Sequence, residues 1–271
     1  MRFEFWKMHG AANDFVVIDH RVPFLPAEPA ALVRRLCDRR RGVGADGVLA
    51  LGASADHDFA MGYWNSDGGR AEFCGNGARC LVRLALDLGL GAGGQVRFAS
   101  DAGPMRGRRA ADGRGVDLLF GRVGAPHGAE CLKVGERVFT GWFVPAGVPH
   151  FVVPVDRVGD VPLDDWGSAL RHHARFGPAG TNVDFVEVLD PGVVAMRTYE
   201  RGVEGETLAC GSGSIATALA AALGGMRSPV TVRTAGGDDL VVSFELTEGG
   251  YDVVLSGPAE VAFRGTWESA D

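Results

Sequence analysis

Two stretches of this chain pair a cysteine with glycines in a way suited to proton chemistry. Residues 65–79 read Asn-Ser-Asp-Gly-Gly-Arg-Ala-Glu-Phe-Cys-Gly-Asn-Gly-Ala-Arg, and residues 198–213 read Thr-Tyr-Glu-Arg-Gly-Val-Glu-Gly-Glu-Thr-Leu-Ala-Cys-Gly-Ser-Gly. Each passes from a strand-like run through a polar, glycine-rich turn to Cys-Gly-x-Gly and then into an apolar helical run. A helix start presents N–H groups without intrahelical partners and about half a positive charge, which suits a carboxylate. A cysteine at that point shares the field, so its thiol pKa is expected to fall. The adjacent glycine lets a ligand approach the backbone closely. One such site binds an anion or activates a nucleophile. Two of them point to a particular reaction, with Cys74 and Cys210 on opposite faces of one substrate carbon. For an amino acid, the N–H groups would receive the charge that α-proton removal pushes into the carboxylate. One thiolate takes the proton, the other thiol returns one to the far face, and configuration inverts. No metal or pyridoxal cofactor is then required, provided the site is closed and dry.

Other reactive side chains have plainer readings. A lone cysteine is most often a small buried hydrophobe, and Cys37, Cys80 and Cys131 are read that way. No two Cys or His fall at zinc-ligand spacing, and His172-His173 reads as a solvated pair in a helix. Asn13 and Asp14 suit an Asx-turn. Gly42-Val-Gly-Ala-Asp-Gly47 matches the dinucleotide fingerprint literally, but a helix precedes it and a strand follows, the reverse of what that motif needs.

Positioning elements follow from the patterning. Hydrophobic residues make up 46% and charged residues 23% of 271 residues, the balance of a soluble globular protein. The net charge of -7 argues against a nucleic-acid partner. Five cysteines with no secretion signal argue against a disulfide framework and for a cytoplasmic protein. Residues 207–226 lack charge, but their apolar part is too short to span a membrane. Gly is abundant, at 41, and short apolar runs are bounded by turns, which favours strands. Strands are predicted at 3–7, 15–19, 48–51, 59–64, 96–99, 116–120, 137–145, 151–155, 182–189, 193–199, 230–234, 240–246, 251–256 and 260–263. A hairpin is expected within 101–115, turning at Asp112-Gly113. Helices are predicted at 28–40 with Gly42 as its stop, 76–88, 163–172 and after Cys210. On the helix after Cys74, Arg79, Arg83 and Asp87 form one polar stripe while the rest is apolar. The order repeats once along the chain. The fold class is therefore α+β, as two pseudo-symmetric lobes, each a curved, mainly antiparallel sheet around a central buried helix.

Taken together, these residues resemble the diaminopimelate epimerases, a cofactor-independent family. The resemblance rests on Met8-His-Gly-Ala-Ala-Asn-Asp-Phe15, Gly42-Val-Gly-Ala-Asp-Gly47, the run 65–80 with Cys-Gly-Asn-Gly-Ala-Arg-Cys intact, Gly180-Thr-Asn-Val183, Glu200-Arg201 and Ala209-Cys-Gly-Ser-Gly213, in that order. It implies epimerisation of LL- to meso-2,6-diaminopimelate, a step toward lysine and peptidoglycan precursors. It implies Cys74 and Cys210 as the acid–base pair. Gly75, Asn76, Gly211 and Ser212 would hold the reacting carboxylate and Asn13 the nearby amino group. Asn65, Asn182, Glu200 and Arg201 would hold the distal centre, with His150 and Glu200 tuning the thiols. It further implies a homodimer and a last strand that returns to the first lobe. The lobes would then be 1–119 with about 260–271, carrying Cys74, and 120–259, carrying Cys210, with the active site in the cleft between them.

Three positions depart from the family pattern. Val148 stands where an Asn often touches the distal carboxylate, Gly47 where some members have a substrate-contacting Gln, and Ser212 where Thr is common. For Ser212 the change is expected to be harmless, because the backbone N–H is what matters. The alternatives are a racemase of another amino acid on the same fold, which would have no use for Glu200 and Arg201, and a thiol redox protein using Cys74 and Cys210, which would have no use for two anion sites. A carboxylate-binding module without catalysis would not need both thiols.

Overall fold

The computed structural model describes residues 1–111, 113 and 115–269. The chain folds as two compact units, Met1–Leu119 with Gly257–Asp271, and Phe120–Ser256. The first unit contains β1 (Arg2–Gly10), β2 (Asn13–His20), α1 (Ala30–Cys37), β3 (Gly47–Gly52), β4 (Phe59–Asn65), α2 (Gly75–Asp87), β5 (Gln95–Ser100), β6 (Gly103–Arg109) and the start of β7 (Gly115–Gly124). The second contains β8 (Ala129–Val134), β9 (Arg137–Ala146), β10 (Val148–Pro154), α3 (Leu163–Arg171), β11 (Asn182–Asp190), β12 (Val193–Glu200), β13 (Gly205–Thr207), α4 (Gly211–Leu223), β14 (Val230–Arg233), β15 (Asp239–Thr247) and most of β16 (Gly250–Pro258). The last strand, β17 (Glu260–Glu268), returns to the first unit and pairs antiparallel with β1, Phe5 opposite Gly265.

The predicted repetition is a repetition of strand pairing. In the first unit β1–β2 is antiparallel, β2–β3 parallel across α1, β3–β4 antiparallel, β4–β5 parallel across α2, and β5–β6 antiparallel. In the second, β9–β10 is antiparallel, β10–β11 parallel across α3, β11–β12 antiparallel, β12–β14 parallel across α4, and β14–β15 antiparallel. The two cysteine helices thus occupy equivalent crossovers. Each touches six strands of a curved sheet: α2 packs against β1 to β6, and α4 against β9 to β12, β14 and β15. A flat sheet could not bring so many strands to one helix.

Helices cover both faces of the middle strands, so alternation sorts side chains between two cores. In the first unit Val16, Ile18 and Val48 face α1 with Val33 and Leu36, while Phe15 and Leu49 meet α2 at Gly77. This accounts for the continuous apolar run of β3. In the second unit Phe151, Val153, Val183, Phe185 and Tyr199 face α3 with Leu163 and Leu170. Their neighbours His150, Asn182, Asp184 and Thr198 therefore point to the α4 side, where all four are buried.

Several sequence expectations need correcting. The helix expected over 28–40 is shorter, ending at Cys37, because Asp38 is extended and the chain turns back. Gly42 is not the helix stop; a Cβ there would lie 2.0 Å from Arg35 O, so only glycine fits against the helix end. Arg79 does not join a polar stripe with Arg83 and Asp87: it is fully buried, whereas Arg83 and Asp87 form an exposed i,i+4 pair at 2.9 Å. Cys131 is exposed on β8 rather than buried, since β8 presents that face to solvent. Strands β8 and β13 were not anticipated. Of the turn expected at Asp112-Gly113, Asp112 lies outside the described residues, while Gly113 N donates to Ala110 O. Helix α4 has 13 residues, and no helix among the described residues is long and apolar enough to cross a membrane.

Candidate active site

Cys74 is the N-cap of α2, with extended backbone (φ -142°, ψ 119°), and its sulfur accepts from Gly77 N at 3.5 Å. Beside it, Asn13 Oδ1 accepts from Cys74 Sγ at 3.6 Å and from Asn76 Nδ2 at 3.2 Å. Asn76 is held in turn by Arg79 Nη2, which donates to its Oδ1 at 2.8 Å, and Arg79 Nε reaches Pro258 O at 3.2 Å. Asn13 sits at the end of a two-residue hairpin whose central residues, Ala11 and Ala12, have φ of 55° and 62°. Alanine adopts this left-handed geometry at a cost of about 1–2 kcal/mol per residue, so strain is stored next to the site.

Asn13 Nδ2 donates to Asp46 Oδ2 at 2.7 Å. A carboxylate only accepts, so this bond fixes the amide with Oδ1 toward Cys74. Behind it lies a charge network. Arg39 bridges Asp14 and Asp46 at 2.8 and 2.7 Å, Lys7 reaches Asp14 at 2.6 Å, and Lys7 also donates to Gly44 O. Burial raises the Asp14 carboxyl, but hydrogen bonds from Arg39 and Lys7 outweigh it and hold the pKa down at about 2. The glycine-rich signature at 42–47 thus serves as a brace. Its Gly47 has no room for a side chain, since a Cβ would lie 2.6 Å from Trp64 O.

Cys210 repeats the arrangement as the N-cap of α4, its sulfur accepting from Gly213 N at 3.4 Å. Its surroundings differ. Cys210 Sγ lies 3.5 Å from Ser212 Oγ, and Ser212 Oγ lies 2.9 Å from His150 Nε2. His150 Nδ1 lies 2.7 Å from Asp184 Oδ2, and both side chains are wholly buried. Asp184 Oδ1 accepts from Thr198 Oγ1 at 2.7 Å. Asn182 Nδ2 is 3.3 Å from His150 Nε2, while its Oδ1 accepts from Arg201 N at 2.7 Å. These side chains meet because His150 pairs with Asn182 across β10–β11, and Asp184 with Thr198 across β11–β12.

The expected lowering of the thiol pKa does not hold for Cys210. Burial pushes it well above the usual thiol range, Glu200 and Asp184 add to the rise, and the Ser212 hydroxyl and Gly213 N–H offset only part. Removal from water outweighs the helix field here. Burial likewise raises the Glu200 carboxyl, against the Thr207 hydroxyl and His150.

The model of the family described as diaminopimelate epimerase matches residues 5–123 and 142–261. The diaminopimelate epimerase of Aquifex aeolicus is 41% identical over 273 residues, covering 97% of this chain and 96% of that protein. That of Desulforudis audaxviator is 43% identical over 282 residues, covering 98% and 100%. The chain belongs to the diaminopimelate epimerase family. Among solved structures, a probable proline racemase from Agrobacterium radiobacter K84 has a TM-score of 0.74 at 17% identity, covering 99% of this chain and 93% of the other. A hydroxyproline epimerase from Agrobacterium vitis has a TM-score of 0.71 at 17% identity, covering 100% and 93%. These likenesses carry the fold alone.

Within the first unit, Cys74, Gly75, Asn76 and Asn13 are contiguous. Asn65 stands apart on the exposed end of β4, where its Oδ1 accepts from Tyr63 OH at 2.6 Å. Within the second, Cys210, Gly211, Ser212, His150 and Asn182 form one connected group, joined by the backbone of Arg201 and the field of Glu200. Val148 begins β10 opposite Ala146. Cys37 and Cys80 fit their reading as buried hydrophobes: burial raises their thiols to about 11 and about 12. His172 pairs with Glu204 at 3.2 Å, and among the described residues no group of three His, Cys, Asp or Glu could hold a metal ion.

Sequence reasoning missed Asp46, Asp184 and Thr198. Asp184 left one signal: it shares a strand face with Asn182, two residues away, inside an otherwise apolar run. Asp46 lay within a motif whose glycines drew attention away from it.

Proposed function

We propose that this chain interconverts LL- and meso-2,6-diaminopimelate, with Cys74 and Cys210 as the two-base pair and no cofactor. The observation that carries this reading is the repeated helix start, a cysteine N-cap whose sulfur faces the N–H of the residue three further on, in a member of this family. The N–H groups at Gly75, Asn76, Gly211 and Ser212 would take the reacting α-carboxylate. They bind it harder as charge develops, which favours the transition state over the ground state. Asn13 Oδ1, fixed by Asp46 as an acceptor, suits the α-ammonium. One thiolate removes the α-proton and the opposite thiol supplies one to the other face.

Arg201 offers a planar fork for the distal carboxylate, Glu200 a charge for the distal ammonium, and Asn65 and Asn182 further polar contacts. The bond from Arg201 N to Asn182 Oδ1 supports treating these two as one subsite. The resemblance also supports a homodimer working in the cytoplasm.

The test is deuterium uptake at the α-carbon in heavy water. Diaminopimelate should exchange, while lysine and alanine should not. Cys74→Ala and Cys210→Ala should each abolish epimerisation while keeping the wild-type circular dichroism spectrum. Exchange of alanine at a comparable rate would assign a different substrate, and substantial epimerisation by either single variant would end the two-thiol scheme.

A further inference from the structure

The segments that carry Asn182 and Arg201 are tied together by a ring of bonds that runs through α3. Arg171, the last residue of α3, is buried although it is charged. Its backbone O accepts from Thr181 N at 3.3 Å, and its Nη1 donates to Ala179 O at 3.1 Å. The guanidinium lies so close over this bend that a Cβ on Gly180 would sit 1.8 Å from Nη1, and Gly180 has φ 66°. The glycine of Gly180-Thr-Asn-Val183 is therefore required by Arg171 and by its own backbone. On its other side Arg171 Nη2 donates to Glu204 Oε1 at 2.9 Å, with Nε 3.2 Å from the same oxygen. Glu204 closes the turn after β12. Its Oε1 also accepts from Gly202 N at 3.0 Å, its N donates to Glu200 O at 2.8 Å, and its Oε2 lies 3.2 Å from His172 Nε2. Glu204 has φ 56°, which residues with side chains rarely adopt and keep only where the surroundings impose it. The Gly202 N–H and the Arg171 guanidinium hold its carboxyl below the usual range, so it stays ionised. Between the two segments, Arg201 N donates to Asn182 Oδ1 at 2.7 Å and completes the ring. An ion pair of this kind is a weak source of stability, whereas a planar guanidinium fixes its acceptors in direction as well as distance.

We infer that Arg171 and Glu204 are positioning residues for the distal subsite: their pair sets the start of β11 against the turn at Arg201, and so fixes where a second amino-acid group of the substrate is held. Both act through their neighbours, Arg171 through the 179–182 bend and Glu204 through the 201–204 turn. The inference rests on Asn182 and Arg201 forming the distal subsite, but the ring lies within one unit and is readable without substrate.

The Glu204 side chain is 40% exposed, so Glu204→Ala removes the pair without opening the core. It should raise KM for diaminopimelate by about tenfold or more with kcat within about threefold of wild type, the mark of binding lost away from the reacting carbon. Glu204→Gln keeps an oxygen for Arg171 and Gly202 and should hold KM within about threefold of wild type. In Arg201→Lys the guanidinium fork is already gone, so adding Glu204→Ala should raise KM by no more than about twofold further. A merely structural defect would multiply the two effects instead. Amide hydrogen exchange followed by NMR reads the ring without turnover. The N–H groups of Thr181 and Arg201 do not touch Glu204, yet both should exchange about tenfold faster or more in Glu204→Ala, because the ring that secures them is open. Wild-type KM in Glu204→Ala, equal impairment in Glu204→Gln and Glu204→Ala, multiplied effects in the double variant, or unchanged exchange at Thr181 and Arg201 would each overturn the inference. A wild type that does not turn over diaminopimelate would end the proposed function instead; faster exchange at those two amides would then still support the ring, and unchanged exchange would overturn it.

Discussion

The third residue of each cysteine helix is glycine, and alanine should be costly at one position and nearly neutral at the other. At Gly213 a Cβ would lie 2.6 Å from Asp184 Oδ1 and 3.3 Å from Cys210 Sγ. That carboxylate is wholly buried and held by Thr198 on one oxygen and His150 on the other, so it cannot retreat without breaking a bond. At Gly77 the Cβ would meet Leu49 Cδ2 at 2.9 Å and Cδ1 at 3.2 Å, the far end of a side chain that can change rotamer. Neither glycine has positive φ, so backbone strain does not enter. Overpacking costs about 1–3 kcal/mol, and loss of a hydrogen bond to a charged group about 1.5–3 kcal/mol. Replacing a helical glycine returns about 0.5–1 kcal/mol. Gly213→Ala should therefore destabilise by about 1.5–5.5 kcal/mol. Gly77→Ala, where a rotamer shift of about 0.5–1.5 kcal/mol meets the same helical gain, should stay within about 1 kcal/mol of wild type. Urea unfolding at constant m-value measures both. An unchanged midpoint for Gly213→Ala, or a larger loss for Gly77→Ala, would refute the claim that Asp184 is pinned against this helix.

Two further outcomes follow from the first unit. Hydrogen bonds from Arg39 and Lys7 hold the Asp14 carboxyl down at about 2, below the ordinary 3.8, so it contributes stability that is present above about pH 4 and lost as pH falls toward 2; Asp14→Asn should flatten the acid limb of the unfolding curve, and an unchanged limb would show the Lys7–Asp14–Arg39 network to be idle. Gly47→Gln should destabilise by about 1–3 kcal/mol because its Cβ meets Trp64 O and the ring of Tyr63; unchanged thermal stability would mean that β3 and β4 separate more easily than their pairing suggests.

The α+β class, the doubled order of elements and both cysteine helices were legible because each leaves a local mark. Cys-Gly-x-Gly before an apolar run gives the helix start, and short alternating runs between glycines give the strands. What supports the site was less legible, because it depends on which face of a strand meets which helix. In β10, β11 and β12 both faces are buried, so alternation divides the side chains into two sets without saying which set meets α4. Only the pairing of His150 with Asn182 and of Asp184 with Thr198 settles that. Arg79 was misread for a related reason. Its spacing from Arg83 and Asp87 fits an exposed stripe, but the helix start lies deep enough that Arg79 becomes a buried donor to Asn76 and Pro258.

The repeat also explains why the two thiols are not equivalent. The shared topology delivers a helix N-terminus at the same crossover in each unit, which sets the sulfur against the N–H three residues on. Everything beyond that first contact is free to differ, because it comes from neighbouring strands rather than from the helix. In the first unit the neighbour is a turn carrying Asn13, whose amide is fixed by Asp46 and offers the Cys74 sulfur an acceptor oxygen. In the second the neighbours are β10 to β12, which supply a hydroxyl, an imidazole and a carboxylate in line. The duplicated fold supplies two matching helix starts, and the unmatched strands around them give each sulfur its own hydrogen-bonding neighbours.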